Sequence, residues 1–316
     1  MKVVFHMKHS KLSSTLHVLV PGEAHMQKRR QRHFWLLVTP ALLLFSAFLV
    51  APLINMFYIS TLDWRGLVKP STFAGVSNYI KLFQDDQFYI ALRNTCIHLL
   101  ITLGVVLPTS FMLGFFLSRR PAGYRWLRTI FFIPGMLSAP ALAMIFIGMY
   151  MPDGIINLIL RNIGFENLTR VWLADKNTSL GAVIAVDIWG GIGWYSVMFF
   201  AALSNVSKEL YEAAQIDGAN YWKMMWGIAF PISLDFFGVM TLLLYLWILM
   251  GSAQNVLLLT NGGPGNSSLT LGFYLYRQAF EIRNLGYSQT IGVFIFTIGL
   301  LGTMIIRRFS RTSISG

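Results

Sequence analysis

An aspartate, Asp187, sits inside the apolar run VDIWGGIGWYSVMF. At helical spacing it shares a face with Gly191, Trp194 and Tyr195. A carboxylate beside aromatic rings, with a glycine that lets a ligand come close, suits carbohydrate recognition. It offers charged hydrogen bonds to hydroxyls, and the rings stack on the apolar face of a sugar. An ionisable group in such a run costs about 2.5–3.5 kcal/mol on membrane-insertion scales and marks a functional site by default. A second reading stands beside it with equal weight, a carboxylate paired with a neighbouring helix or with a partner chain. Gln254 and Asn255 add hydrogen-bonding groups in another apolar run, where polar residues also join helices. His98 is alone in its run and reads as a structural, hydrogen-bonded histidine, and Asp235, close to Pro231, as an interfacial residue.

Other chemistry is missing. No G-x-x-x-x-G-K-[ST] occurs, and the cluster Gly262-Gly263-Pro264-Gly265 has no lysine after it, so it cannot cradle phosphates and reads as an external turn. The chain is expected to bind neither ATP nor any other cofactor itself. There is no H-E-x-x-H, and one cysteine, Cys96, excludes an intrachain disulfide and a cysteine metal site. Neither a catalytic nor a metal site is expected.

These residues need elements to hold them, and the composition says which. The chain has 316 residues, 55% of them hydrophobic and 12% charged, too apolar for a soluble domain of this size. A spanning helix takes about 20 apolar residues, and six charge-poor stretches qualify: 34–57, 94–118, 129–151, 179–203, 233–260 and 287–306. The first is long enough to span and has no cleavage site behind it, so it is expected to be retained as a helix. The fold class is therefore all-α, a polytopic membrane protein with six transmembrane helices. A basic tail at 1–33, a membrane domain at 34–306 and a short tail at 307–316 make up its organisation.

Six spans put both termini on one side. The tails and the segments 119–128 and 204–227 hold 16 Lys/Arg against 4 Asp/Glu, and the alternate loops hold 9 against 7. Nearly all of the +12 net charge thus belongs to one face, which the positive-inside rule makes cytoplasmic, giving an N-in/C-in topology. The surplus reads as a topology signal and as contact with anionic lipid of the bilayer, not as a nucleic-acid patch. Residues 1–25 lack periodicity and are expected to be poorly ordered. Pro40, Pro52, Pro108, Pro134 and Pro140 predict bent helices around a cavity.

One cytoplasmic segment, ELYEAAQIDGANYWKMMWGIAFP at 209–231, reads like soluble protein. Ser207 is placed to cap a helix, with Glu209 and Glu212 near its positive end. Asp217-Gly218 breaks it. Asn220 caps a second helix, expected to end before Pro231. Ala213 and Ala214 leave a smooth surface, while Tyr221, Trp222, Met224, Met225 and Trp226 supply bulk for a partner's groove. On physics alone, a helix pair lying on lipid fits equally well.

The pattern Glu212-Ala213-Ala214, Asp217-Gly218-Ala219 and Pro231 resembles, in order and spacing, the EAA motif of binding-protein-dependent ABC importer permeases. Across nearly all of 34–306, TPALLLFSAFLVAPLINMFYISTLDW, FAGVSNYIKLF, ALRNT and LLTNGGPGNSSLTLGFYLYRQAF are similar to the carbohydrate-uptake branch, in particular to the maltose-type and glycerol-phosphate-type first permease subunits. The resemblance implies a type I permease fold in a bacterial cytoplasmic membrane. It also implies a second, non-identical permease, two ATPase subunits that bind ATP and magnesium, and an external solute-binding protein. By the same resemblance, the bracket at 204–231 docks in a cleft of the ATPase. Glu212 pairs with a basic residue there, Gly218 makes the turn, and Trp222 and Met225 are our assignments for filling the groove. Gly262, Gly263 and Pro264 fall where such permeases touch the binding protein. Substrate contacts of the maltose type fall on Asp187, Gly191 and Trp194. An amide of that type becomes Asp187 and a tyrosine becomes Trp194, which argues against maltose itself.

The expected function is import of a carbohydrate, an oligosaccharide, by ATP-driven alternating access. Alternatives are a glycerol-phosphate or acidic-oligosaccharide importer of the same family, or a self-contained secondary transporter with Asp187 as proton carrier. The last leaves the EAA bracket unexplained.

Overall fold

The computed structural model describes residues 34–66 and 70–312. The basic tail and the final residues lie outside them. Among the described residues the regular structure is helical apart from one two-stranded antiparallel ribbon, in which β1 (Leu62–Asp63) pairs with β2 (Thr72–Phe73), and a bridge between Arg65 and Asn284.

Two units are described separately. The first ends at Asn55 and contains, among the described residues, most of helix α1 (Phe34–Ser60), which is apolar throughout and includes a π-helical stretch at Ser46–Val50. The second, from Met56, holds the remaining elements. These are α2 (Ser77–Leu82), α3 (Asp86–Ser118), α4 (Tyr124–Met136), α5 (Ala139–Tyr150), α6 (Ile155–Asn162) and α7 (Ser179–Ser204). They are followed by α8 (Lys208–Ile216), α9 (Tyr221–Ile232), α10 (Leu234–Met250), α11 (Ser252–Leu259), α12 (Leu271–Tyr276) and α13 (Leu285–Thr312).

Helices long and apolar enough to cross a membrane are Phe34–Ser60, Asp86–Ser118, Ala139–Asn162, Ser179–Ser204 and Leu285–Arg308, and α9 and α10, bent by 73° at their junction, qualify as a sixth only when taken together. Two of the expected spans differ from this. The stretch 129–151 is not one helix: it breaks after Met136, where Ser138 is extended at ψ 150°. Pro140 lacks an N–H and biases its predecessor away from helix, so it opens a new helix better than it continues an old one. The stretch 233–260 is also divided, at Gly251. Pro108, by contrast, sits within α3 without ending it.

The α3–α7 pair forms the centre, and small residues let the two helices meet. A Cβ on Gly114 would lie 2.5 Å from the Cβ of Phe199, and one on Gly191 would lie 3.4 Å from both methyls of Val106. Close backbone approach of this kind is how membrane helices gain van der Waals contact where lipid removes the hydrophobic drive. Two apolar cores lie along the pair. One gathers Phe88, Phe146, Tyr150, Val183, Phe273, Tyr274 and Ile291. The other gathers Val106, Phe111, Phe115, Tyr195, Phe199, Met225 and Ile248.

Candidate functional site

The soluble-like bracket is built as a helix, a turn and a second helix, with each junction explained by its residues. At the start of α8, Ser207 occupies the cap position, but its hydroxyl donates to the Glu209 carboxylate at 3.1 Å instead of accepting from a backbone N–H. The far end closes as a Schellman turn. Gly218 takes the left-handed conformation at φ +76°, its N–H donates to the carbonyl of Gln215 at 3.0 Å, and the Ala219 N–H donates to that of Ala214 at 2.8 Å. Asn220 then caps α9 by accepting from the Lys223 N–H at 2.9 Å. The second helix does not stop before Pro231. A π-helical stretch at Met225–Ala229 shifts the ladder so that the Phe230 N–H reaches Met225, and the chain runs through Pro231 to Ile232.

The bracket is seated on the end of α3. Phe115 receives the rings of Tyr211 and Tyr221 at centroid distances of 6.1 and 5.0 Å, and the guanidinium of Arg119 lies 4.6 Å over Tyr211. Phe111 meets Trp226 and Phe230, both at 5.8 Å. Burial pushes the phenol of Tyr211 up, against the nearby charge of Arg119. On the outward side Glu212, Ala213, Asp217 and Gly218 are exposed, Ala214 is half-buried, and Ile216 and Trp222 are 87% and 59% exposed. Glu212, Ala213 and Ile216 recur at helical spacing, so one face of α8 carries a carboxylate, a smooth patch and an apolar tip. Met225 is a correction to the expected set. It is fully buried in the inner core beside Met224, at the start of the π-helical stretch, while Trp222 stays exposed.

Asp187 lies between helices. Its side chain is 4% exposed, its Oδ2 is 3.1 Å from Nε2 of the fully buried His98 on α3, and its Oδ1 accepts from Nδ2 of Asn255 on α11 at 2.7 Å. The His98 contact is of ion-pair range without the angle of a good hydrogen bond, so it is electrostatic in character. Of the two readings that the sequence left open for Asp187, this geometry is that of the pair. His98 is therefore not alone, and Asn255 is engaged with the same carboxylate. Gly191 packs on Val106, and Tyr195 is buried at 6% exposure, so neither faces open space. Trp194 is 45% exposed, 6.4 Å from the ring of Phe132, and Gln254 is exposed. Only those two of the sequence-assigned path residues present side chains outward. A cavity of about 700 Å³ opens elsewhere, among Asn157, Arg161, Arg170 and Lys176.

The glycine turn at 262–265 is bolted to α3. Asn94 donates to the carbonyls of Ser267 and Leu269 at 3.0 and 2.9 Å, and the hydroxyl of Ser268 donates to the carbonyl of Gly263 at 2.7 Å. Gly262 is buried, since a Cβ there would stand 2.9 Å from the ring of Phe273, so this glycine is a packing residue and not an outer contact. Gly263 and Pro264 are half-buried.

Sequence reasoning missed a second polar knot. Asp85 accepts from the hydroxyls of Tyr274 and Tyr287, some 190 residues away along the chain. Burial pulls its carboxyl up, but the hydrogen bonds from Tyr274, Tyr287 and the Gln87 N–H outweigh burial and hold it below the usual carboxylate range. Tyr274 is pushed up to about 12 by burial and by that carboxylate. Polar residues at helix ends were the available signal, but nothing in the sequence pairs them.

Among known proteins, the family model described as binding-protein-dependent transport system inner membrane component matches residues 106–314. The chain is 32% identical to the diacetylchitobiose uptake system permease protein NgcF of Streptomyces coelicolor, over 87% of this chain and 81% of that one. It is 31% identical to the arabinooligosaccharides transport system permease protein AraP of Bacillus subtilis, over 87% and 88%. A chain from the crystal structure of a bacterial ABC transporter involved in import of the acidic polysaccharide alginate superposes with a TM-score of 0.79 at 22% identity, covering 92% of this chain and 99% of that one. With its apolar helices, its bracket seated on α3 and these relatives, the chain belongs to the family of inner membrane components of binding-protein-dependent transport systems.

Proposed function

We propose that this chain is one permease half of an ATP-driven importer for an oligosaccharide, working in a bacterial cytoplasmic membrane with both termini inside. The observation that carries the reading is the bracket at 204–231, where Glu212, Ala213, Ile216 and Trp222 form an outward face on an aromatic seat. A partner that pushes on this face moves α3 and α7 with it, because Tyr211, Tyr221 and Trp226 are wedged against Phe115 and Phe111.

The pushing partner is a pair of ATPase subunits, which hold ATP and magnesium, and this chain binds no cofactor. A second, non-identical permease completes the pathway. On the outer side a loaded solute-binding protein meets the turn carrying Gly263 and Pro264. Relatives that take up diacetylchitobiose and arabinooligosaccharides support a sugar as cargo. Trp194 and Gln254 are the side chains we assign to the path, and Asp187 contributes by joining α3, α7 and α11.

A cross-linking experiment tests the reading. A cysteine at Ile216 is expected to form a bond with a cysteine in the ATPase cleft of the purified complex, and to lose it when the complex is trapped without its ATPase. Absence of any ATPase cross-link from Ile216 or Trp222 would remove the bracket from the coupling path.

A further inference from the structure

The segment 152–178, between α5 and α7, folds round one buried side chain. Asn157 is 1% exposed. Its amide donates to the carbonyls of Pro152 and Arg170 at 3.2 and 2.9 Å. Its carbonyl oxygen accepts from the Arg170 N–H at 3.3 Å and from the indole N–H of Trp172 at 2.9 Å. A buried amide with donors and acceptor both engaged fixes the backbone on either side of it. The cavity of about 700 Å³ stands on this floor.

The charge of the cavity is one-sided. Arg161, Arg170 and Lys176 line it against a single carboxylate, Asp175, whose Oδ1 is already engaged by the N–H of Asn177 at 2.9 Å. The Arg161 guanidinium donates to the Pro152 carbonyl at 3.2 Å and reaches Asp153 at 3.6 Å. The Asp153 side chain is 94% exposed, so this pair is open to water and easily exchanged. Arg170 donates to the carbonyls of Asn167 and Thr169 at 2.7 and 2.8 Å, and neither it nor Lys176 makes an ion pair among the described residues. Neutral carbonyls hold the Arg170 guanidinium in place and leave its charge uncompensated.

The cavity is continuous with the glycine turn. A Cβ on Gly265 would lie 3.2 Å from Cε of Lys176, and the hydroxyls of Ser179 and Ser267 are 2.7 Å apart. Gly265 directly follows Pro264, in the turn we assign to the binding protein. No aromatic side chain lines the cavity, so it lacks the stacking surface that suits a sugar.

We infer that this cavity receives an acidic side chain, an aspartate or a glutamate, projecting from the solute-binding protein as it docks on the turn. Arg170 and Lys176 meet the carboxylate, and Arg161 exchanges Asp153 for it. Charges at the edge of an interface act on encounter and register more than on the final grip, so the cavity orients the binding protein as it arrives. The inference rests on the proposed function, which supplies both the binding protein and the outer placement of 152–178.

The test uses the assembled transporter in nanodiscs and reads the concentration of sugar-loaded binding protein that gives half-maximal stimulation of ATP hydrolysis. Arg170→Glu/Lys176→Glu is expected to raise that concentration on the order of tenfold at low salt, with the maximal rate and the melting temperature unchanged. Arg170→Gln/Lys176→Gln should raise it less and flatten its dependence on salt. An unchanged half-maximal concentration in both variants overturns the inference. Where the glutamates lower the melting temperature, the glutamine pair decides by the same criterion. Saturable binding of trigalacturonate to the wild-type complex without binding protein, lost in the glutamate pair, overturns it in favour of a subsite for acidic sugar. Failure of the underlying reading looks different: the binding protein then does not stimulate the wild type, and a cysteine at Pro264 forms no cross-link with it.

Discussion

His98 on α3 and Asp187 on α7 stand 3.1 Å apart with both side chains buried, and Asn255 on α11 donates to the other oxygen of the same carboxylate. Three helices are thus joined at one point inside the bilayer, where each polar atom left without a partner costs about 1–3 kcal/mol. Asp187→Ala strands both His98 and the Asn255 amide and is expected to lower the melting temperature of the complex. In His98→Leu/Asp187→Leu the loss should be smaller than the sum of the two single changes, since neither polar side chain is then left facing an apolar replacement. Additive losses in a thermal double-mutant cycle would dissolve the pair.

The path assignment makes the opposite forecast for Trp194. Its ring is 45% exposed and joins no buried core, so Trp194→Ala should leave the melting temperature unchanged. Losing a stacking surface of about 0.5–1.5 kcal/mol should raise the half-saturating sugar concentration roughly 2- to 10-fold. Unaltered uptake kinetics would take Trp194 out of the path.

Seat and contact face of the bracket should separate in experiment. Phe115→Ala empties a fully buried position between Tyr211 and Tyr221 and should destabilise by about 3–5 kcal/mol. Ile216→Lys, at 87% exposure, should leave stability within about 0.5 kcal/mol of wild type while reducing sugar-stimulated ATP hydrolysis. If Ile216→Lys unfolds the chain and leaves coupling intact, the face has been misassigned.

Acid should act through Asp85. Its native carboxyl lies below the usual value, so the unfolded chain binds the proton more readily. The stabilisation is present above a pH of about 4 and is lost as pH falls through the lowered native value. Tyr274→Phe removes one of the hydrogen bonds that hold the carboxyl down, so acid unfolding should begin at higher pH. An unshifted acid transition, followed by intrinsic fluorescence, would contradict this.

Much of the fold was legible because membrane length and apolarity are coarse signals. The expected span starting at 94 extends back to Asp86, and the break at Met136 went unread because Pro134 and Pro140 both fit a kinked single helix. The bracket was readable to its caps: Gly218 and Asn220 act within a few residues of themselves. What escaped depends on register between distant helices. His98 and Asp187 are separated by 89 positions in the chain, so each looked solitary until α3 and α7 were packed together. Met225 was misjudged for the same reason, since only the position of Phe111 and Phe115 decides which side of α9 is inner.

Topology is open to labelling. With Cys96 replaced, a cysteine at Ala122 should be protected from an impermeant thiol reagent in intact cells, and one at Pro264 should react. The reverse pattern would invert the assignment drawn from the charges.

The most direct test of the account is uptake of a labelled oligosaccharide into proteoliposomes. They would hold this chain, its partner permease and two ATPase subunits, with a loaded binding protein outside and ATP inside. Uptake is expected to require both the ATP and the binding protein, and Glu212→Lys should reduce it at least tenfold while the complex stays assembled. Reversing that charge removes a pair and adds repulsion at a contact face. Uptake driven by a proton gradient with neither ATP nor binding protein, and unaffected by Glu212→Lys, would contradict the account.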